Sequence, residues 1–202
     1  MGKFDKQKAA EDIINAALPM VVFDGWTQTT LCKAALSAGY RRTDAVRVFP
    51  NGAIEAVCEY NRMVDRKMVE ELSHYNLETM KIRERIVAAV RLHLELQMKD
   101  REAVRKIVAM FASPLYAHRG LKALYETVDN IWFAIGDKST DFNFYSKRLI
   151  LAGVYSATLA TWLNDHSEGF ASTWEFLDRQ IEGVMQFEKA KKKVKDFLAK
   201  VA

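Results

Sequence analysis

Cysteine, proline and catalytic motifs are what this chain has least of. Its two cysteines, Cys32 and Cys58, stand far apart in apolar, helix-patterned surroundings. That excludes a disulfide framework and reads as reduced interior thiols of an intracellular protein. Only three prolines occur, Pro19, Pro50 and Pro114, and no stretch alternates apolar and polar residues with a period of two. Sheet architectures are therefore excluded. No Gly-x-Ser-x-Gly elbow, P-loop, Gly-x-Gly-x-x-Gly turn or paired-cysteine metal spacing is present, which removes the commonest sequence signatures of hydrolases, nucleotide enzymes and zinc sites. No apolar run reaches the roughly 20 residues needed to cross a bilayer. The longest charge-free stretch, Leu149 to Leu163, falls short of it. The opening MGKFDKQKAAEDIINAAL has early acidic residues and no apolar segment of signal length, so the expectation is a chain without a secretion signal.

What is present is apolar mass at helical spacing. Half of the 202 residues are hydrophobic, enough for a sizeable core. A net charge of +4 and a pI near 9.0 permit an anionic partner without requiring one. Apolar residues recur three and four apart almost throughout, predicting an all-α fold with helices near 5–18, 27–38, 43–49, 52–75, 80–97, 100–111, 115–135, 141–164, 170–187 and 188–201. The breaks carry turn chemistry: Pro19, Asp24-Gly25, Gly39, Thr43 as an N-cap, and Pro50-Asn51-Gly52. Three short helices followed by a long one describe a helix-turn-helix head over residues 1–53. A larger helical body follows over 54–187, with a basic amphipathic helix over 188–202.

Glu71 and His74 match the Glu-x-x-His pair of helical di-iron bundles, but no glutamate stands three residues before His93, His118 or His166. The second pair that such a site needs is missing, so neither metal nor cofactor is expected. The head, WTQTTLCKAALSAGYRRTDAVRVFPNGAIEAV, is similar to the DNA-binding head of TetR-type regulators. Where those place a lysine at the start of the fourth helix to hold a phosphate, this chain has Gly52 and Ala53. Its third helix offers only Asp44 and Arg47 toward a groove, with Arg41 and Arg42 just before. Two readings remain at this level, a ligand-responsive DNA-binding regulator and a head kept as scaffold.

Two wide apolar stripes lie on consecutive helices. Leu121, Leu124, Tyr125, Val128, Ile131 and Trp132 form one; Leu151, Val154, Tyr155, Thr158, Leu159 and Trp162 form the other. They could close on each other or hold a lipid-sized cavity, and pattern does not separate these. In the tail EKAKKKVKDFLAKVA, Val194, Phe197, Leu198 and Val201 make one apolar stripe amid Lys189, Lys191, Lys192, Lys193, Lys195 and Lys200. Packing on the body and docking on an anionic membrane are both open to such a helix.

The strip from Asp129 to Met185 carries a more specific signal. Trp132, Gly136-Asp137, Ser139-Thr140-Asp141-Phe142-Asn143, the aromatic pair Phe144-Tyr145 and the basic Lys147-Arg148 follow in order. This pattern closely resembles that of the ubiquinone-biosynthesis accessory protein family, lipid-binding partners of the demethoxyubiquinone hydroxylase. Met80 to Ile86 and Arg47 to Val57 extend the likeness over nearly the whole chain. The resemblance implies a TetR-like fold without useful DNA binding and a non-catalytic homodimer. It also implies that an isoprenoid lipid or quinone precursor is held near Leu124, Val128, Trp132, Leu151, Val154, Tyr155 and Leu159. By the same resemblance the hydroxylase docks on a patch of Ile131, Asp141, Phe144, Tyr145 and Arg148. Phe144 departs from the tryptophan the family commonly has there. A membrane contact is implied for Lys191, Lys192, Lys193, Val194, Phe197, Leu198 and Val201. The implied location is the cytoplasmic face of a bacterial inner membrane, or the mitochondrial matrix for a processed eukaryotic chain.

Overall fold

The computed structural model describes residues 4–137, 142–184 and 186, and among them every regular element is a helix. The expected helix over 188–201 and its membrane-contact residues, Lys191, Lys192, Lys193, Val194, Phe197, Leu198 and Val201, lie outside the described residues, as does Asp141. In order, the helices are α1 Lys6–Asp24, α2 Gln28–Ser37, α3 Arg42–Val48, α4 Ala53–Leu72, α5 Ile82–Glu95, α6 Arg101–Ala112, α7 Ala117–Ala134 and α8 Phe142–Asn164. A ninth, α9, runs over 171–184. The chain divides into two compact units. Of the described residues, one unit comprises those up to Glu71 with Glu95–Thr127, the other Leu72–Leu94 with those from Val128 onward. The boundary expected at residue 53 falls inside the first of these.

In the first unit, α1 packs against α2, α3 and α6. Its buried face, Ala9, Ile13, Ala17 and Val21, recurs every fourth residue and is small enough for close helix approach. Asp5 caps the helix by accepting from the Gln7 and Lys8 amides at 3.0 and 3.1 Å. Pro19 does not end α1 as expected from its ring and missing amide. Ala17 and Val21 are buried on either side of it, and the helix continues to Gly25, whose φ of 72° supplies the stop. The third helix also starts differently from the sequence reading. Its N-cap is Arg41 rather than the expected Thr43, and the Asp44 carboxylate at the third helical position accepts from the Arg41 amide at 2.9 Å. The Arg41 guanidinium binds the same carboxylate at 3.0 and 3.1 Å and holds it below the usual carboxylate range.

Two long-range bonds fix this unit. The indole of Trp26 donates to the Ala103 carbonyl at 3.2 Å, and Tyr40 donates to Asp12 at 2.8 Å. A glycine decides how closely α6 and α7 meet: a Cβ on Gly120 would sit 2.7 Å from Cβ of Phe111. Nothing larger than hydrogen fits there without moving backbone.

The second unit is built from α5, the C-terminal part of α7, α8 and α9. Its core holds Ile86, Val90, Leu94, Ile131, Ile135, Trp162 and Leu177. Arg85 donates to the Ile135 carbonyl at 3.2 Å, tying α5 to the end of α7. The turn between α8 and α9 is organised by one side chain. Asp165 accepts from the amide and hydroxyl of Ser167 at 2.8 and 2.6 Å, and from the amide and hydroxyl of Thr173 at 2.8 and 2.6 Å. Burial works against its charge, but these four donors outweigh burial and hold its carboxyl far below the usual range.

Candidate functional site

The charge-free run Leu149 to Leu163 forms most of α8, and its two sides meet different surroundings. Leu151, Val154, Tyr155, Thr158 and Trp162 are buried, whereas Leu149, Gly153, Ser156 and Ala160 are exposed. Within the same unit α7 contributes Val128, Ile131 and Trp132, all buried. Leu124 and Leu159 are half-buried. Two residues counted into the α7 stripe, Leu121 and Tyr125, face solvent. The apolar face of α7 is therefore narrower than its sequence suggests.

Several polar atoms sit among the buried apolar side chains of α5, α7 and α8. Tyr155 Oη and His93 Nδ1 lie 2.9 Å apart, and the two rings meet edge to face with centroids 5.4 Å apart. His93 was missed in the sequence reading. Its signal was available, since Ala89, Val90 and Leu94 place it on the apolar face of α5. Thr158 donates to the Val154 carbonyl at 2.7 Å within its own helix. Trp132 is different: it is 5% exposed, and its indole N–H finds no acceptor among the described residues. A buried donor left in that state costs about 1–3 kcal/mol.

A second feature lies where α7 ends and α8 begins. Phe144 is half-buried and Tyr145 is 68% exposed, their rings packed edge to face with centroids 5.2 Å apart. Arg148, one turn further on, is 6% exposed. Its Nε donates to Asp129 at 2.6 Å and its Nη1 to the Phe144 carbonyl at 3.2 Å, with Asp137 3.6 Å from Nη1. The guanidinium also lies over the Phe144 ring, 3.4 Å from its centroid. Lys147 completes the cluster, bonding Asp137 at 2.9 Å while sitting 5.3 Å from the centroid of Trp132. Of the residues expected to meet a partner enzyme, the structure thus puts Tyr145 and part of Phe144 at the surface and Ile131 and Arg148 inside.

An open hollow of about 560 Å³ lies at the C-terminal end of α8, lined by Ala160, Thr161, Asn164, Asp165, His166, Ser167 and Ser172. Its polar lining shares no residue with the apolar stripes. Among the described residues, no group of histidine, cysteine, aspartate or glutamate side chains is arranged to hold a metal ion. Among them, too, no helix is long and apolar enough to cross a membrane.

Comparison with known proteins bears on the strip that carries both features. Residues 117–188 match the COQ9 family model. The chain is also similar over most of its length to the mitochondrial ubiquinone biosynthesis protein COQ9 of Rattus norvegicus, 30% identical across 91% of this chain and 61% of the relative. The Drosophila melanogaster protein of the same name is 31% identical across 87% of this chain and 55% of the relative. The human one is 29% identical across 91% and 59%. The chain thus spans 55% to 61% of the length of these relatives. Among solved structures, a TetR transcriptional regulator from Nitrosomonas europaea superposes with a TM-score of 0.69 over 86% of this chain and 95% of that one, at 16% identity. The fold is all-α and TetR-like. At that identity the likeness speaks for the fold alone.

Proposed function

We propose that this chain is a non-catalytic accessory protein of ubiquinone biosynthesis that binds an isoprenoid quinone precursor and presents it to the demethoxyubiquinone hydroxylase. The observation that carries the lipid part is Trp132. A deeply buried indole N–H with no acceptor among the described residues, set in an apolar unit, suits a ligand with a long apolar tail and a few ring oxygens. A quinone or phenol oxygen would accept that hydrogen bond, and the buried sides of α7 and α8 would take the tail. The partner part rests on Phe144 and Tyr145. Paired aromatics at a surface next to charged groups have the composition of interface hot spots. The likeness to proteins named for ubiquinone biosynthesis supports the pathway in which both parts are placed.

The protein works as a homodimer at the surface of the membrane that holds the quinone pool. That surface is the cytoplasmic face of a bacterial inner membrane, or the matrix face in a mitochondrion. Residues 188–202 make the contact through their lysines and apolar stripe. DNA is not its partner in this reading. The Arg41 guanidinium is engaged by Asp44. At the start of α4, where TetR-type regulators hold a phosphate, the Glu55 carboxylate accepts from the Asn51 amide at 2.9 Å and from its side chain at 3.1 Å. An anion already sits there, and it repels another.

The test combines the two parts. Purified protein is loaded with a short-tailed demethoxyubiquinone, and retention is compared with that of Trp132→Phe. A separate pull-down compares hydroxylase capture by native protein and by Phe144→Ala/Tyr145→Ala. Expected are about a tenfold weaker hold on the quinone and loss of hydroxylase capture, with each variant still unfolding cooperatively well above the assay temperature. Retention by native protein no better than by an unrelated helical protein contradicts the lipid part. Undiminished capture by the double variant contradicts the partner part.

A further inference from the structure

We infer that Arg148 is a positioning residue that never meets the partner and instead clamps the aromatic pair into its docking geometry. The inference rests on the partner patch proposed above and assigns it a mechanism. A basic residue beside two aromatics invites the reading of a direct contact, offering its charge to an acidic partner. Burial argues against that. At 6% exposure the guanidinium has almost no surface left to present.

Its Nε and Nη1 donors are spent on the protein instead. The Nε bond to Asp129 at 2.6 Å reaches back to α7, 19 residues earlier in the chain. The Nη1 group donates to the Phe144 carbonyl at 3.2 Å and lies 3.6 Å from the Asp137 carboxylate, within ion-pair distance. One planar group therefore touches α7, the residue that follows it by a turn, and the first turn of α8. The flat face of the same group covers the Phe144 ring at 3.4 Å from its centroid. That contact fixes the Phe144 side chain, and the edge-to-face packing of Phe144 on Tyr145 then sets the direction of Tyr145. The charges balance inside the cluster, two carboxylates from Asp129 and Asp137 against Lys147 and Arg148.

The chemistry demands arginine. Lysine carries the same charge but has no planar face to stack and no fork with which to serve Asp129 and the Phe144 carbonyl together. A lysine at 148 should therefore keep the unit folded and let the first turn of α8 drift. Docking surfaces lose affinity when their anchors must be ordered at the moment of binding.

The experiment uses the full chain and purified hydroxylase, with Arg148→Lys, Asp137→Asn and Phe144→Ala/Tyr145→Ala compared with native protein. Asp137 is the informative companion because its side chain is only 8% exposed, so it too cannot contact a partner. Expected for both Arg148→Lys and Asp137→Asn is roughly tenfold weaker capture. Amide exchange should be faster in residues 142–149 and unchanged in 151–163. Native-like capture by Arg148→Lys overturns the inference. So does loss of capture in Arg148→Lys with none in Asp137→Asn, which makes Arg148 a contact. Faster exchange along all of α8 overturns it as well, since Arg148 would then be a general support. Failure of the patch itself is read separately, as native-like capture by Phe144→Ala/Tyr145→Ala.

Discussion

Replacing Asp165 by asparagine should destabilise the protein in a way that depends on pH with a defined sign. Asp165 accepts four hydrogen bonds, two from Ser167 and two from Thr173, at 2.6 to 2.8 Å. It thereby caps α9 and closes the turn after α8. Asparagine keeps the shape but supplies one acceptor oxygen and turns an amide toward donors. Losing one charged cap interaction and misaligning a second costs about 2 kcal/mol. For a chain of this size that corresponds to a fall of about 4–8 °C in the unfolding midpoint. Because the folded carboxyl is held below its ordinary value, its contribution is complete above the unfolded pKa, about 3.9, and is lost as pH falls toward the folded one. Thermal melts followed by circular dichroism should therefore show the full gap between native protein and Asp165→Asn at pH 7. The gap should narrow progressively below about pH 4. Equal midpoints at pH 7, or a gap that widens in acid, would refute this reasoning.

Two further substitutions test packing. Gly120→Ala gains helix propensity of about 1 kcal/mol but drives its methyl group into Phe111 Cβ, which is fixed to the backbone and cannot rotate away. The clash should win, and chemical denaturation should show net destabilisation of about 1–2 kcal/mol; a more stable variant would show that α6 and α7 part readily. Tyr155→Phe removes the hydroxyl that meets His93 and should lower stability by about 1–2 kcal/mol. A midpoint equal to that of native protein would mean that this contact carries no net stabilisation.

The helices were legible because most of them follow from local spacing. Ala9, Ile13, Ala17 and Val21 announce α1 whatever surrounds it, and Gly25 announces its end more firmly than Pro19 interrupts it. What escaped the sequence is non-local. Nothing in the text near Arg148 says that its charge is neutralised 19 residues upstream at Asp129, or that it lies flat on Phe144. A basic residue beside aromatics looks like a surface contact until its burial is known. Periodicity also overcounts: Leu121 and Tyr125 continue the α7 stripe in register yet are exposed. Apolar identity does not say where a neighbouring helix stops. The absent phosphate lysine was readable at Gly52, but the Glu55 carboxylate that takes its place required the turn to be seen folded.

The central claim is that the protein carries an isoprenoid quinone precursor, and mass spectrometry of lipids extracted from the purified protein tests it most directly. The account predicts isoprenoid quinone or precursor species bound to the native protein, depleted in Trp132→Phe. Extracts holding only bulk phospholipid, in the same amount for both proteins, would contradict it.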